Sequence, residues 1–93
     1  MVVRNINGTA AKNCNCGSWI RHWEKYTRGS ANQCRASGCG RSDIVGAHVI
    51  KPHSTDDRTY IVPFCRGHNN QSGNITLNAT AQMAPANKQN TCA

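Results

Sequence analysis

Apolar and polar positions along the chain alternate between a helical and an extended period. Large residues fall at Trp19, Trp23 and Tyr26, with Ile20 beside them, the i, i+4, i+7 spacing of one helix face. Ser18 precedes this run as an N-cap and Gly29 follows it as a stop, so a helix is expected over residues 18–28. Other segments read as strands. Residues 2–6 suit an edge strand closed by the Asn7-Gly8 turn, and residues 41–50 end in Val45-Gly-Ala-His48-Val-Ile50. Residues 59–64 pair with that segment as a hairpin across the polar loop 51–57. Residues 65–71 read as a short helix closed by Ser72-Gly73. Residues 74–83 alternate as a last strand, and the tail after Pro85 reads as irregular. The expectation is a single small α+β domain spanning residues 1–93, with one N-terminal helix, a β-hairpin and a second short helix.

Such a chain has little to bury. Hydrophobic residues make up 38% of it, and the aromatic residues are Trp19, Trp23, Tyr26, Tyr60 and Phe64 alone. A core this small needs disulfides, a metal or oligomerisation to hold it. The six Cys therefore decide the picture. Cys34 and Cys39 bracket a tight turn followed by Gly40, and Cys65 and His68 form a Cys-x-x-His pair at the start of the short helix. Zinc takes thiolate and imidazole ligands in a tetrahedron, with sulfur about 2.3 Å away, and two such pairs supply its opposite edges. The order knuckle, hairpin, helix is a treble-clef-like, zinc-stabilised arrangement. Cys14-Asn-Cys16-Gly17 is a second, tighter knuckle, and Cys92 ties down the end of the chain.

The Cys with His68 make seven ligands, and one more His completes two four-coordinate sites. His48, on a strand between small and β-branched residues, is the chosen eighth. His22 on the first helix and His53 in the polar loop are the alternatives. Two Zn2+ ions are expected: one on Cys34, Cys39, Cys65 and His68, the other on Cys14, Cys16, His48 and Cys92. A sequential grouping competes, with Cys14, Cys16, Cys34 and Cys39 as the first site. So does a secreted domain with three disulfides, compatible with the sequons at Asn7, Asn74 and Asn78. Metal is preferred because the Cys stand beside His at ligand spacing and residues 1–8 have no apolar stretch of signal-peptide length.

Eleven Lys and Arg against four Asp and Glu give a net charge of +7, a surface that attracts polyanions. The cations are dispersed, so any basic face must be assembled by the fold. Arg21, Lys25 and Arg28 recur at helical spacing and form the expected nucleic-acid-binding stripe, for DNA or RNA. A protein–protein adaptor with purely structural zinc is the competing function. No segment reaches transmembrane length, so no membrane partner is expected.

Ala47-His48-Val-Ile-Lys-Pro52 and Tyr60-Ile-Val-Pro-Phe-Cys65-Arg-Gly-His68-Asn69, behind the Cys34–Cys39 knuckle, resemble the HNH, or His-Me-finger, endonucleases that carry a structural zinc. The resemblance covers Cys34 to about Ile75 and implies a general-base role for His48 and a cation ligand at Asn69. Tyr60 stands where that family has its middle Asn, and Asn69 where it has a metal-binding His. The resemblance therefore implies a degenerate HNH-like fold rather than a competent nuclease. A second resemblance spans most of the chain. Cys14-Asn-Cys-Gly-Ser-Trp19, Val45-Gly-Ala-His48 and Ala86-Asn87 to Thr91-Cys92 are similar to a group of small bacterial Cys/His-rich proteins. It implies a cytoplasmic chain in which the Cys pairs and His48 act as a set.

Overall fold

The computed structural model describes residues 1–6, 18–56 and 58–86. Cys14, Cys16, Cys92, the Asn7-Gly8 turn and Asp57 lie outside the described residues. In chain order the elements are β1 (Val2–Asn5), α1 (Trp19–Thr27), β2 (Ile44–Ile50), β3 (Tyr60–Cys65), α2 (Arg66–Asn69), β4 (Asn74–Thr76) and β5 (Ala84–Pro85). The strands form one antiparallel sheet in the order β4-β1-β2-β3-β5. β1 is thus an interior strand, not the edge strand expected. It pairs Arg4 with both Ile50 and Asn74. Residues 74–83 form no single strand. β4 stops at Thr76, Leu77 makes an isolated bridge with Ala36, and the chain regains the sheet only at β5.

The β2–β3 hairpin is the longest ladder, running from Ile44↔Cys65 to Val49↔Tyr60. Every residue of β3 is buried, because both faces of the sheet are covered there. Pro63 lacks an N–H, yet β3 tolerates it, since β5 pairs only with Tyr60 and Ile61 and leaves this stretch unladdered on that side. The loop joining the hairpin is tied by Asp56, which accepts from Arg58 (3.0 Å), from Lys51 (3.4 Å) and from the Tyr60 hydroxyl. Donation by Arg58, then by Tyr60, holds the Asp56 carboxyl well below the usual carboxylate range.

One face of the sheet carries α1. Ser18 Oγ accepts the Arg21 N–H at 3.1 Å, the expected N-cap. The helix ends on Arg28 in the left-handed region (φ 60°), not on Gly29. Gly29 serves close packing instead, since a Cβ there would lie 3.2 Å from the Trp23 ring. Trp19 and Trp23 pack on Ile61 and Ala84. Gly46 makes this approach possible, because an added Cβ would meet Trp19 Cβ at 2.6 Å and the Ile20 nitrogen at 2.9 Å. Two buried side chains of α1 bond the chain just before and within β5. Trp23 Nε1 donates to the Gln82 carbonyl at 2.9 Å, and the His22 Nε2–H donates to the Pro85 carbonyl at 2.7 Å. Tyr26, expected on the apolar face, is 51% exposed in the last turn of α1. The opposite face packs Val3, Ala47, Val49, Val62 and Phe64 beneath the segment from Cys34 to Ala36 and beside Ile75 and Leu77.

Candidate metal centre

The hairpin places Cys65 at the end of β3 and thereby at the N-cap of α2. Its Sγ accepts the His68 N–H at 3.4 Å, and one helical turn swings the His68 ring back over the thiol. His68 Nδ1 stands 3.2 Å from Cys65 Sγ and 3.5 Å from Cys34 Sγ. The knuckle is delivered by backbone bonds. Arg35 N–H donates to the Pro63 carbonyl at 2.9 Å, and Ser37 N–H to the Thr76 carbonyl at 2.8 Å. Within the turn, Cys34 N–H reaches the Arg41 carbonyl (2.9 Å) and Cys39 N–H the Ala36 carbonyl (3.1 Å). Gly38 takes φ 77°, which a side chain would oppose, and so lets Cys39 fold back toward Cys34.

The ligand atoms of Cys34, Cys39, Cys65 and His68 all lie within 4.8 Å of one another, and the three Cys are free thiols. Tetrahedral bonds of about 2.3 Å to sulfur and 2.05 Å to nitrogen would separate N from S by about 3.6 Å. The observed 3.2 and 3.5 Å lie close to that spacing. Nδ1 is the nitrogen turned to the thiols. The cluster could therefore bind one metal ion.

The thiols differ in acidity. Burial pushes the Cys34 thiol up to about 11. Burial would also raise Cys65, but donation from the His68 N–H and ring, and from the Cys34 and Cys39 thiols, outweighs it and holds Cys65 down to about 7. Cys65 therefore ionises before Cys34.

The grouping is the first of the two expected sets. The sequential alternative would part Cys34 and Cys39 from Cys65 and His68, which the fold brings together. His48 is not near them. Its register partner Ile61 packs under α1, and the His48 ring lies edge-on to Trp19 with centroids 4.5 Å apart. It is 6% exposed and on the opposite face of the sheet from the thiols. His22 meets the same Trp19 edge-on, with centroids 5.2 Å apart, and His53 is an exposed loop residue beside Asn74. The partners expected for His48 in a second site, Cys14, Cys16 and Cys92, lie outside the described residues.

Arg21, Lys25 and Arg28 are exposed on the side of α1 away from the sheet. Among the described residues none of them makes an ion pair. Asp43 is taken by Arg41, Asp56 by Lys51 and Arg58, and Glu24 accepts the Ala31 N–H at 2.9 Å.

Comparison with known protein families, with curated proteins and with solved structures gives no match for this chain.

Asn5 is a supporting residue that the sequence reading passed over. Its Nδ2 donates to the carbonyls of His68 (2.7 Å) and Gln71 (3.0 Å), fastening the end of α2 to β1. Val3 and Asn5 share one parity of the strand. A polar residue on the core-facing parity was the available signal. Asp43 contributes similarly through its backbone, accepting the Arg66 N–H at 3.2 Å.

Proposed function

We propose that this chain is a zinc-stabilised binding module of treble-clef type that contacts nucleic-acid phosphates through the outer face of α1. The convergence of Cys34, Cys39, Cys65 and His68 carries the first half. Three thiolates and an imidazole are a structural zinc set, and a fully protein-ligated ion leaves no open position for substrate. Arg21, Lys25 and Arg28, exposed and in no ion pair among the described residues, support the second half. A second zinc on Cys14, Cys16, His48 and Cys92 completes the proposal. An HNH-type nuclease is disfavoured by the burial of His48 under α1, which keeps a phosphodiester from its ring.

The test is an anisotropy titration of the zinc-loaded protein against labelled DNA and RNA at several salt concentrations. Binding is expected to be nearly sequence-blind. Three phosphate contacts predict a slope of about −3 in log K against log[salt] on duplex DNA, shallower by about 1 for each cation replaced by Ala. No binding at low salt would sink the nucleic-acid half and leave the protein-adaptor reading. Zinc-free protein in native mass spectrometry would sink the first half.

A further inference from the structure

A cleft of about 420 Å³ opens at the far end of the hairpin from the thiol cluster, lined by Met1, Val2, Lys51, His53 and Ser54. Its volume falls within the range of about 300–1,000 Å³ typical of small-molecule sites. It forms because β2 runs out at Ile50, opposite Arg4, and the loop turns back, with the Ser54 N–H on the Lys51 carbonyl at 3.3 Å.

The polar rim of this cleft is held in place by groups far apart in sequence. Arg4 Nε donates to Asn74 Oδ1 at 3.1 Å, and Asn74 Nδ2 lies 3.3 Å from His53 Nε2. Arg can only donate, so it fixes the Asn74 amide. The amide nitrogen then faces His53, whose Nε2 accepts and whose ring proton sits on Nδ1. Strand β1, strand β4 and the hairpin loop thus combine to orient the His53 ring at the cleft. Lys51 Nζ is steadied over the Tyr60 ring at 4.6 Å and against Asp56. The lining offers donors, from Lys51, His53 Nδ1–H and the Ser54 hydroxyl, while Met1 and Val2 add apolar surface.

Preset donors beside an apolar wall suit a phosphate carried on a flat, weakly polar group. We propose that this cleft binds the phosphate of a nucleotide, free or as the phosphorylated end of a strand. Lys51, His53 and Ser54 take the phosphate, Arg4 positions His53 through Asn74, and Met1 and Val2 lie against the base. The site is separate from the α1 stripe and does not depend on it.

The test is an amide ¹H–¹⁵N titration of the zinc-loaded full chain with AMP, adenosine and inorganic phosphate, which also reports the fold of each variant. AMP is expected to give saturable shifts at Val2, Arg4, Lys51, His53 and Ser54, phosphate weaker shifts at the same amides, and adenosine none. Lys51→Ala should weaken AMP binding about tenfold, the loss of one charge-assisted contact, and Arg4→Ala by less, since it acts through Asn74 and His53. The exposed His53→Ala provides a third variant with the same expected direction. The triple variant Arg21→Ala, Lys25→Ala, Arg28→Ala should bind AMP unchanged, which separates failure here from failure of the α1 interface. Short oligonucleotides with and without a 5′-phosphate distinguish the sources. Competition by the phosphorylated one alone assigns a strand end, and competition by neither assigns a free nucleotide. Absence of AMP shifts, shifts confined to α1, or an affinity untouched by all three cleft variants would overturn the proposal.

Discussion

On one face of the sheet α1 lays Trp19 and Trp23 against Ile61 and Ala84, and the contact is tight enough that β2 has room only for Gly46. On the other face the cover includes the short stretch from Cys34 to Ala36, too small to hold itself down by area, and the thiols and His68 converge at one end of it. The first face is secured by aromatic burial and by side-chain bonds from α1 to Gln82 and Pro85. The second is secured by backbone bonds to Pro63 and Thr76 and, in our proposal, by an ion. A chain with few large residues has little with which to cover both faces, and its candidate metal ligands stand on the face covered by loop and strand segments rather than by α1.

That contrast is broken hardest at Cys65. Structural zinc in small domains contributes on the order of 10 kcal/mol to folding. Cys65→Ser is therefore expected to lower the thermal midpoint well below that of the metal-loaded wild type, and chelator should lower the variant further only by what the second proposed zinc contributes. A variant as stable as the metal-loaded wild type would place the stability elsewhere.

Gly46→Ala attacks the packed face. The added methyl meets α1 backbone as well as a side chain, so the cost should sit toward the upper end of the about 1–3 kcal/mol typical of overpacking. Urea unfolding should show this loss, while zinc affinity measured on the folded variant stays unchanged. A matching fall in zinc affinity would mean that the two faces are not separable.

Asn5→Ala sharpens the metal side without removing a ligand. The substitution frees the His68 and Gln71 carbonyls from β1, and losing an outer support of this kind weakens metal binding by about 10–100-fold. Competition with a chromophoric chelator measures it. An affinity equal to wild type would make Asn5 a β1 residue only.

The smallest effect is on pH. Cys65 in the metal-free chain is held down to about 7, so above that pH its thiolate is already formed and zinc displaces no proton from it. Below it the proton must leave. Zinc affinity therefore falls with decreasing pH, more steeply by about one proton per ion below pH 7 than above. A constant slope between pH 6 and 8 would contradict the acidity assigned to Cys65.

Much of this contrast is legible in the chain. Ser18 and the Trp19–Trp23 spacing announce α1, and the Cys34–Cys39 and Cys65–His68 spacings announce the ligand set, because each signal is local. What escapes is set at long range. Nothing near Val2 says that β1 will be flanked by residues from positions 48–50 and 74–76, and the alternation of residues 74–83 does not reveal that only three of them find a partner strand. Tyr26 fits the apolar period of α1 yet stays exposed, because the period does not tell which turns of a helix the sheet covers. Asn5 finds its acceptors 63 and 66 residues away.

Hydrogen exchange of the full chain, read by mass spectrometry before and after a stoichiometric chelator removes its zinc, tests most directly whether an ion holds the thiol face. Exchange in residues 34–40 and 66–71 is expected to rise sharply on metal loss, with residues 19–27 less affected at early times because Trp19 and Trp23 still pack. Protection in residues 34–40 and 66–71 that survives removal of the zinc, or a chain that carries no zinc to remove, would contradict the account.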